Sequence, residues 1–434
     1  MEPVYAKGNV FFRGNDRFLI KGISYFPRAP RDPTASHYTQ DSVIDALTDD
    51  RIPDLERDIP ILKQLGLKTI QVTALDPTKS HHKAMTLLAE AGIYVLAEVC
   101  NKMKAPERNA DPNFDPSRYY TLSLMRRAFR IVDQLSDHSN LLGFTVDAKV
   151  IRSRSVTKMA EVCRAAVRDI KTLLRLRQGR VQPVGVHVSD IMDLRTPMLQ
   201  YFAAGPISER ADYFAHDCYS WASPSDFRIS GWSNMVQAFT PYPVPTFLAA
   251  YGTNINERTW GEVECLYSPD MTGVFSGGCI YTYFEYGNWY GIVTVKEDGE
   301  VEFKQPEFWR LKEKFGVVNA RAVKEVHGKE VKGYEGWTGT FPAVQGGWHA
   351  GANLPDLPAT VEAMFEEIEK EKAEFRAEEA CERMRGMHLA TDAASQRVAE
   401  EHFDDDEIQR QQESARQTLL DLAAQRDVDH KSAE

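Results

Sequence analysis

Eight short runs rich in β-branched and aromatic residues, separated by stretches with apolar residues at helical spacing, constrain this chain more than any other feature. The runs are FLIKGISY (18–25), KTIQVTAL (68–75), YVLAEV (94–99), LLGFTVDA (141–148), VQPVGVHV (181–188), ADYFAHDCYS (211–220), VPTFLAAY (244–251) and GCIYTYF (278–284). They recur at a spacing of roughly 25 to 40 residues, room for one helix each. Between them lie DLERDIPILKQLG, HHKAMTLLAEAG, whose Gly92 is placed to stop a helix, and SVTKMAEVCRAAVRDIKTLLRLR. Eight such units in about 290 residues is the count of a (β/α)8 TIM barrel, and strands this apolar suit a parallel sheet covered on its outer face. An open, doubly wound sheet would alternate in the same way, but no G-x-G-x-x-G follows the first run.

The chain has 434 residues and 43% apolar content, enough to bury one large core or two medium ones. Its net charge of -11 is uneven: residues 356–434 hold 22 acidic and 10 basic side chains, leaving a near-neutral body. Such a body has no excess of Lys and Arg to displace counterions from phosphates, so the sequence offers no case for nucleic acid. No apolar run approaches the roughly 18 residues needed to span a bilayer, and MEPVYAKGNVFF lacks the pattern of a signal peptide. Cys100, Cys163, Cys218, Cys265, Cys279 and Cys381 show no metal-ligand spacing, so neither a metal nor a cofactor is expected and the thiols read as free.

In a barrel the chemistry belongs at the C-terminal ends of the strands. Read there, the chain offers Tyr25, Asp76, Asp147, Lys149, Asp217, Tyr219, Ala250, Tyr281, Tyr283 and Tyr290, with Trp221, Trp232 and Trp289 nearby. Aromatic rings with polar edges suit the alternating apolar and hydroxyl faces of a sugar chain. Tyr25, Asp76, Asp217, Tyr219, Trp232, Tyr281, Tyr283 and Tyr290 are therefore the candidate substrate-binding residues.

The segments KGNVFF, RDIPILKQLG, KTIQVTALDPTKSHHKAM, AEAGIYVLAEV, NLLGF, AAVRDIKTLL, YSWASPSDF, VPTFLAAYG, LYSPDMTGVFSGG and NWYGIV occur in the chain in that order. Together they resemble the fungal cell-wall β-1,3-glucanosyltransferases, the Gas/Gel/Phr group of glycoside hydrolase family 72, from about residue 4 to about residue 358. The resemblance implies a (β/α)8 barrel that cleaves a β-1,3-glucan chain and rejoins it to another through a glycosyl-enzyme intermediate. Such retaining chemistry needs two carboxylates about 5 Å apart, one as nucleophile and one as acid and then base.

On the resemblance, the acid/base motif, an Asn-Glu pair, falls on Ala148 and Lys149, and the nucleophile motif, Ser-Glu-Tyr-Gly, falls on Ala249, Ala250, Tyr251 and Gly252. Both catalytic glutamates are thus replaced. Asp147 stands two residues before Lys149, about 6 to 7 Å deeper along the same strand face, as a displaced carboxylate. No Asp or Glu lies between Phe227 and Asn256 to replace the nucleophile. Other cleft positions of the family pattern are changed too: Gln71 and Thr73 replace its Arg and Tyr, Phe26 its Gln, and Thr282 its Glu.

The family's disulfide positions align with Leu55 and Ala84, Ala222 and Thr253, and Ala204 and Phe341, all lost in partner pairs. Paired loss fits a reducing compartment, so a cytosolic protein is expected, with a cell-surface location like the family's as the alternative if the N-terminus is truncated. Residues 1–330 are expected to form the barrel, 331–358 a linker and 359–434 an acidic, helical or disordered tail in which Val361, Phe365, Ile368 and Phe375 hint at an apolar stripe. No apolar C-terminal stretch signals a GPI anchor. Three functions follow: a catalytically degenerate barrel, or pseudoenzyme, retaining β-1,3-glucan binding; an active glucanosyltransferase using displaced groups; or an interaction scaffold whose tail recruits a protein partner.

Overall fold

The eight strands do close on themselves in the computed structural model, which describes residues 1–28, 43–321, 337, 339–374, 409–410 and 412–420. Three short strands come first: β1 (Val4–Lys7), β2 (Val10–Arg13) and β3 (Asp16–Phe18), an antiparallel sheet. The barrel strands are β4 (Ile20–Ser24), β5 (Thr69–Val72), β6 (Tyr94–Val99), β7 (Leu141–Asp147), β8 (Val184–Val188), β9 (Phe214–Asp217), β10 (Thr246–Tyr251) and β11 (Phe275–Ile280). Each pairs in parallel with the next, and β11 returns to β4 to complete the ring. Helices α1 (Ile52–Gln64), α2 (His82–Glu90), α3 (Leu122–Leu135), α4 (Met159–Leu176), α5 (Arg195–Ala203), α6 (Trp232–Phe239), α7 (Gly261–Leu266) and α8 (Pro269–Thr272) lie in the connections, and α9 (Glu307–Arg321) follows the last strand. Gly92 does stop α2, with φ of +76°, in the left-handed region that only glycine enters without steric cost.

The expected strand 18–25 divides between two sheets, Phe18 ending the antiparallel one and Ile20–Ser24 opening the barrel, and the antiparallel sheet closes one end of the barrel. Val4, Phe11 and Phe18 from that sheet share a core with Tyr94, Leu96, Leu142, Tyr213 and Phe247, residues at or beside the N-terminal ends of their strands. The rings of Phe18 and Tyr94 meet edge to face at 5.1 Å, as do those of Phe11 and Tyr213 at 5.7 Å. The Tyr213 ring fits inside because position 185 on β8 is glycine, where a Cβ would stand 2.1 Å from it. With that end filled, the opposite end is the one free to receive a ligand.

The last barrel strand sits earlier than the expected 278–284. The expected strand opens at Gly278, whereas β11 already runs from Phe275 and holds both Gly277 and Gly278 in its interior. Gly277 has φ of +83°, and a Cβ there would come 2.3 Å from the Ile20 carbonyl oxygen, so the missing side chain is what lets β11 approach β4. Residues 281–284 thus lie beyond the strand, with Tyr281 half-buried and Thr282, Tyr283 and Phe284 buried. A hairpin of β12 (Val293–Val295) and β13 (Val301–Phe303) follows them.

Residues 339–358 pack onto α4 and α5. Trp348 is buried, the Tyr201 hydroxyl donates to the Gly351 carbonyl at 2.9 Å, and the backbone N–H of Gly351 donates to Glu161 at 2.7 Å. By its internal contacts Met1–Phe365 is one compact unit, and Glu366–Glu434 is a second. In the second, residues 366–374 and 412–420 are helical, and Leu419 and Leu420 are exposed. Phe375, Cys381 and most of the expected tail lie outside the described residues.

Candidate active site

The C-terminal ends of five consecutive strands, β6 to β10, bring Glu98, Asp147 with Lys149, His187, Asp217 and Ala250 to the mouth. Register places them side by side: Asp147 is level with His187 on the β7 and β8 ladder, and Ala250 with Asp217 on β9 and β10. Lys149 Nζ donates to Glu98 Oε2 at 2.6 Å and stands 3.4 Å from Asp147 Oδ1. His187 Nδ1 lies 2.8 Å from the same Glu98 oxygen, and its Nε2 2.7 Å from Asp217 Oδ1. Thr73 donates its hydroxyl to the other Glu98 oxygen at 3.0 Å. Three carboxylates and two basic groups thus form one continuous, largely buried chain.

Burial alone would neutralise each of these groups, and their mutual charges decide the outcome. For Glu98, burial pushes the pKa up, but Lys149 and His187 outweigh it and hold the carboxylate well below its usual range. Burial likewise opposes the Lys149 ammonium, yet Asp147, Glu98 and Asp217 raise it above its ordinary value. For His187, burial and the Lys149 charge favour the neutral ring, while Asp217 and Glu98 at its two nitrogens lift it to about 9. An imidazolium donates from both nitrogens, so the 3.2 Å approaches of Lys149 Nζ and Gln71 Nε2 to Nδ1 are contacts around that donor and not bonds accepted by it. Asp147 is the exception: burial dominates and its pKa is raised.

At Ala250 the strand offers a methyl group and nothing that ionises. Its carbonyl accepts the Cys218 N–H at 2.8 Å, so the backbone is held as a barrel strand should be. Retaining transfer requires a nucleophilic carboxylate across the cleft from an acid/base. The described side chain at this position cannot supply it.

The aromatic candidates divide into two groups. Tyr219, Tyr281 and Tyr290 are half-buried and meet edge to face, with ring centres 5.9 Å apart for Tyr219 and Tyr290, 5.3 Å for Tyr281 and Tyr290, and 6.3 Å for Tyr219 and Tyr281. They rim the mouth beside Asp217, two residues before Tyr219. Tyr25 and Tyr283 are instead buried against each other at 5.3 Å, and the Tyr25 hydroxyl donates to Asp58 at 2.6 Å. Trp232 is buried under Trp221, at 4.9 Å. Asp76 lies apart from the charged chain: it accepts the N–H and hydroxyl of Thr78 at 3.0 and 2.8 Å, and lines a separate cavity of 370 Å³ with Asp45, Arg51 and Arg127.

Glu98 and His187 were not among the residues singled out from sequence. The available signal was small: in YVLAEV and VGVHV each is an ionisable residue near the C-terminal end of an otherwise apolar barrel strand, where mouth residues fall.

A closed parallel barrel with ionisable side chains at its strand C-termini and tyrosines on the rim is a (β/α)8 protein whose site lies at that end. The chain belongs to the glucanosyltransferase family, glycoside hydrolase family 72, whose family model matches residues 1–319. It is similar to the 1,3-beta-glucanosyltransferase gel1 of Aspergillus fumigatus, 38% identical over 313 residues that cover 72% of this chain and 65% of gel1. With the 1,3-beta-glucanosyltransferase GAS5 of Saccharomyces cerevisiae it shares 33% over 373 residues, 83% of this chain and 71% of that one. Among solved structures it resembles Saccharomyces cerevisiae Gas2p in complex with laminaripentaose, with a TM-score of 0.69 and 32% identity, covering 82% of this chain and 77% of that chain. A further Gas2p structure, in complex with laminaritriose and laminaritetraose, matches with a TM-score of 0.69 and 30% identity over 83% of this chain and 78% of that chain. The match thus spans just under two thirds of gel1.

Cys100, Cys163, Cys218, Cys265 and Cys279 are free thiols. Leu55 on α1 and Ala84 on α2, where the resemblance places one disulfide, are both buried on helices that touch. No helix among the described residues is long and apolar enough to cross a membrane.

Proposed function

We propose that this chain is a catalytically degenerate member of its family, a barrel that holds a β-1,3-gluco-oligosaccharide without cleaving or transferring it. The observation that carries this reading is the Lys149 ammonium, 2.6 Å from Glu98 and 3.4 Å from Asp147, at the position that the resemblance gives to the acid/base. A cation kept protonated by three carboxylates cannot act as the base of the second step. Glu98, held ionised, cannot serve as the acid of the first. Ala250 supplies no nucleophile. The cleft is then defined by Tyr219, Tyr281 and Tyr290 above Asp217, while Tyr25, Tyr283 and Trp232 support it from the core.

The Gas2p structures, with their laminari-oligosaccharides, support the choice of ligand. One observation favours the active-enzyme reading: the raised pKa of Asp147 makes it the carboxyl of the site best able to deliver a proton. Incubation with a reduced β-1,3-gluco-oligosaccharide, read by mass, separates the readings, with binding followed by calorimetry. Binding without new chain lengths supports the degenerate barrel; longer products overturn it. The variant Ala148→Asn, Lys149→Glu, Ala250→Glu is expected to gain slow transfer. If neither binding nor products are found, the cleft is vestigial and the scaffold reading, with a protein partner for residues 359–434, takes its place. The free thiols and the replaced cysteine pairs favour a reducing compartment, which fractionation of tagged protein would check.

A further inference from the structure

Trp289 immediately precedes Tyr290, a member of the tyrosine rim, in the chain. It is 70% exposed, and among the described residues no aromatic ring packs on its indole. A single exposed apolar side chain is ordinary on a protein surface, so what distinguishes Trp289 is the loop that holds it.

The loop that carries it is braced. One carboxylate, Glu285, accepts three backbone N–H groups: those of Gly287 at 2.6 Å and Trp289 at 2.9 Å on Oε1, and that of Gly291 at 3.0 Å on Oε2. Lys304 Nζ donates to the Trp289 carbonyl at 2.5 Å, and Asn254 from the loop after β10 donates to the Asn288 carbonyl at 2.9 Å. Trp289 itself has φ of +65°, in the left-handed region that non-glycine residues avoid. A bulky residue held there by so many bonds is a residue whose position is over-determined, a pattern found at ligand clamps. The backbone is fixed, while among the described residues the indole has no ring, cation or hydrogen-bond partner.

We infer that Trp289 is an outer stacking platform for a glucosyl unit of a β-1,3-glucan, extending the cleft beyond the Tyr219, Tyr281 and Tyr290 rim. This rests on the glucan-binding reading above. A β-glucosyl ring presents C–H faces that cover an indole, and its edge hydroxyls reach polar groups such as Asn254 and Asn288 on the adjoining loops. Because the platform lies outside the rim, short oligosaccharides fill the inner sites first and leave it empty. Chains long enough to pass the tyrosines gain the extra contact.

The test is a calorimetric series of laminari-oligosaccharides, from three glucosyl units to seven, on wild type, Trp289→Ala and Trp289→Gly. Glycine removes the ring and relieves the positive φ together, so agreement between the two variants assigns the effect to the ring. The expected result is unchanged affinity for the shortest ligand and roughly two- to tenfold weaker binding of the longest. A blue shift of indole fluorescence with long ligands should vanish in both variants. Equal affinities for wild type and variants at every length overturn the inference while leaving the glucan reading intact. No binding at any length by wild type overturns both.

Discussion

Replacing Lys149 with methionine removes the cation from a chain in which Glu98, Asp147 and Asp217 would then face His187 alone. At an effective dielectric of about 20, an ion pair at the 2.6 Å Lys149–Glu98 separation carries roughly 6 kcal/mol of gross attraction, and one at the 3.4 Å Lys149–Asp147 separation roughly 5. Most of this is offset by the cost of desolvating the charges, and breaking a buried pair typically leaves a loss of about 3–5 kcal/mol. The Lys149 side chain is 26% exposed, so water can partly replace it. The expected loss is therefore about 2–3 kcal/mol at pH 7. It should depend on pH with a definite sign. The Asp147 carboxyl already has a raised pKa from burial, and losing the ammonium raises it further. A carboxyl with a raised folded pKa destabilises above that pKa and is relieved below it, so the deficit should shrink as pH falls toward 5. Urea unfolding of wild type and variant at pH 7 and pH 5 measures both quantities, and adding Asp147→Asn to the variant should restore more than half of the loss. A deficit under about 0.5 kcal/mol at pH 7, or one that grows on acidification, would refute the claim that Lys149 is held by these carboxylates.

Two further predictions concern buried titrating groups. The His187 pKa of about 9 lies above the imidazole's ordinary value of about 6.5, so its contribution is fully present below pH 6.5 and lost as pH rises through 9. Wild type should lose on the order of 3 kcal/mol over that window, and His187→Gln should flatten the profile; an imidazole found by NMR to titrate below 6.5 would contradict the assignment. Glu262 on α7 is buried, and burial lifts its carboxyl to about 7 even though the Arg258 charge opposes it. Protonation in the fold is favoured, so stability should fall as pH rises from the ordinary carboxyl value of about 4.5 to about 7 and level off above it, and Glu262→Gln should match wild type at about pH 4 but exceed it at pH 9 in thermal melts. A variant less stable than wild type at both values would show that the carboxyl is ionised and paired instead.

The barrel was legible because its signal is local. A strand buried on both faces must be apolar over four to six residues, and the next helix must follow within a short connection, so alternation and count survive in the linear text. Gly92 as a helix stop is equally local, since only its own φ is at stake. The edges of the strands were less so. Whether Gly277 ends a strand or sits within one depends on how near Ile20 lies, and that is a fact about another strand, not about the residues flanking the glycine.

The mouth shows the same division. Lys149 and Ala250 can be picked out by position, because the C-terminal end of each strand must face the cleft whatever its neighbours are. What they meet there is not encoded at that range. Glu98 lies 51 residues from Lys149 in sequence and 2.6 Å away in space, and His187 lies 89 residues from Glu98 and 2.8 Å away. Tyr25 and Tyr283 read as rim residues from one end of the chain and the other, and ring closure between β11 and β4 is what turns them inward onto each other. The sequence by itself determined the barrel, the absence of a carboxylate at Ala250 and the presence of a lysine at 149, since these follow from local pattern and residue identity. Only the tertiary structure decided that this lysine is bound into a chain of carboxylates with a protonated histidine, because closing a barrel juxtaposes strand ends that sequence separation leaves unrelated.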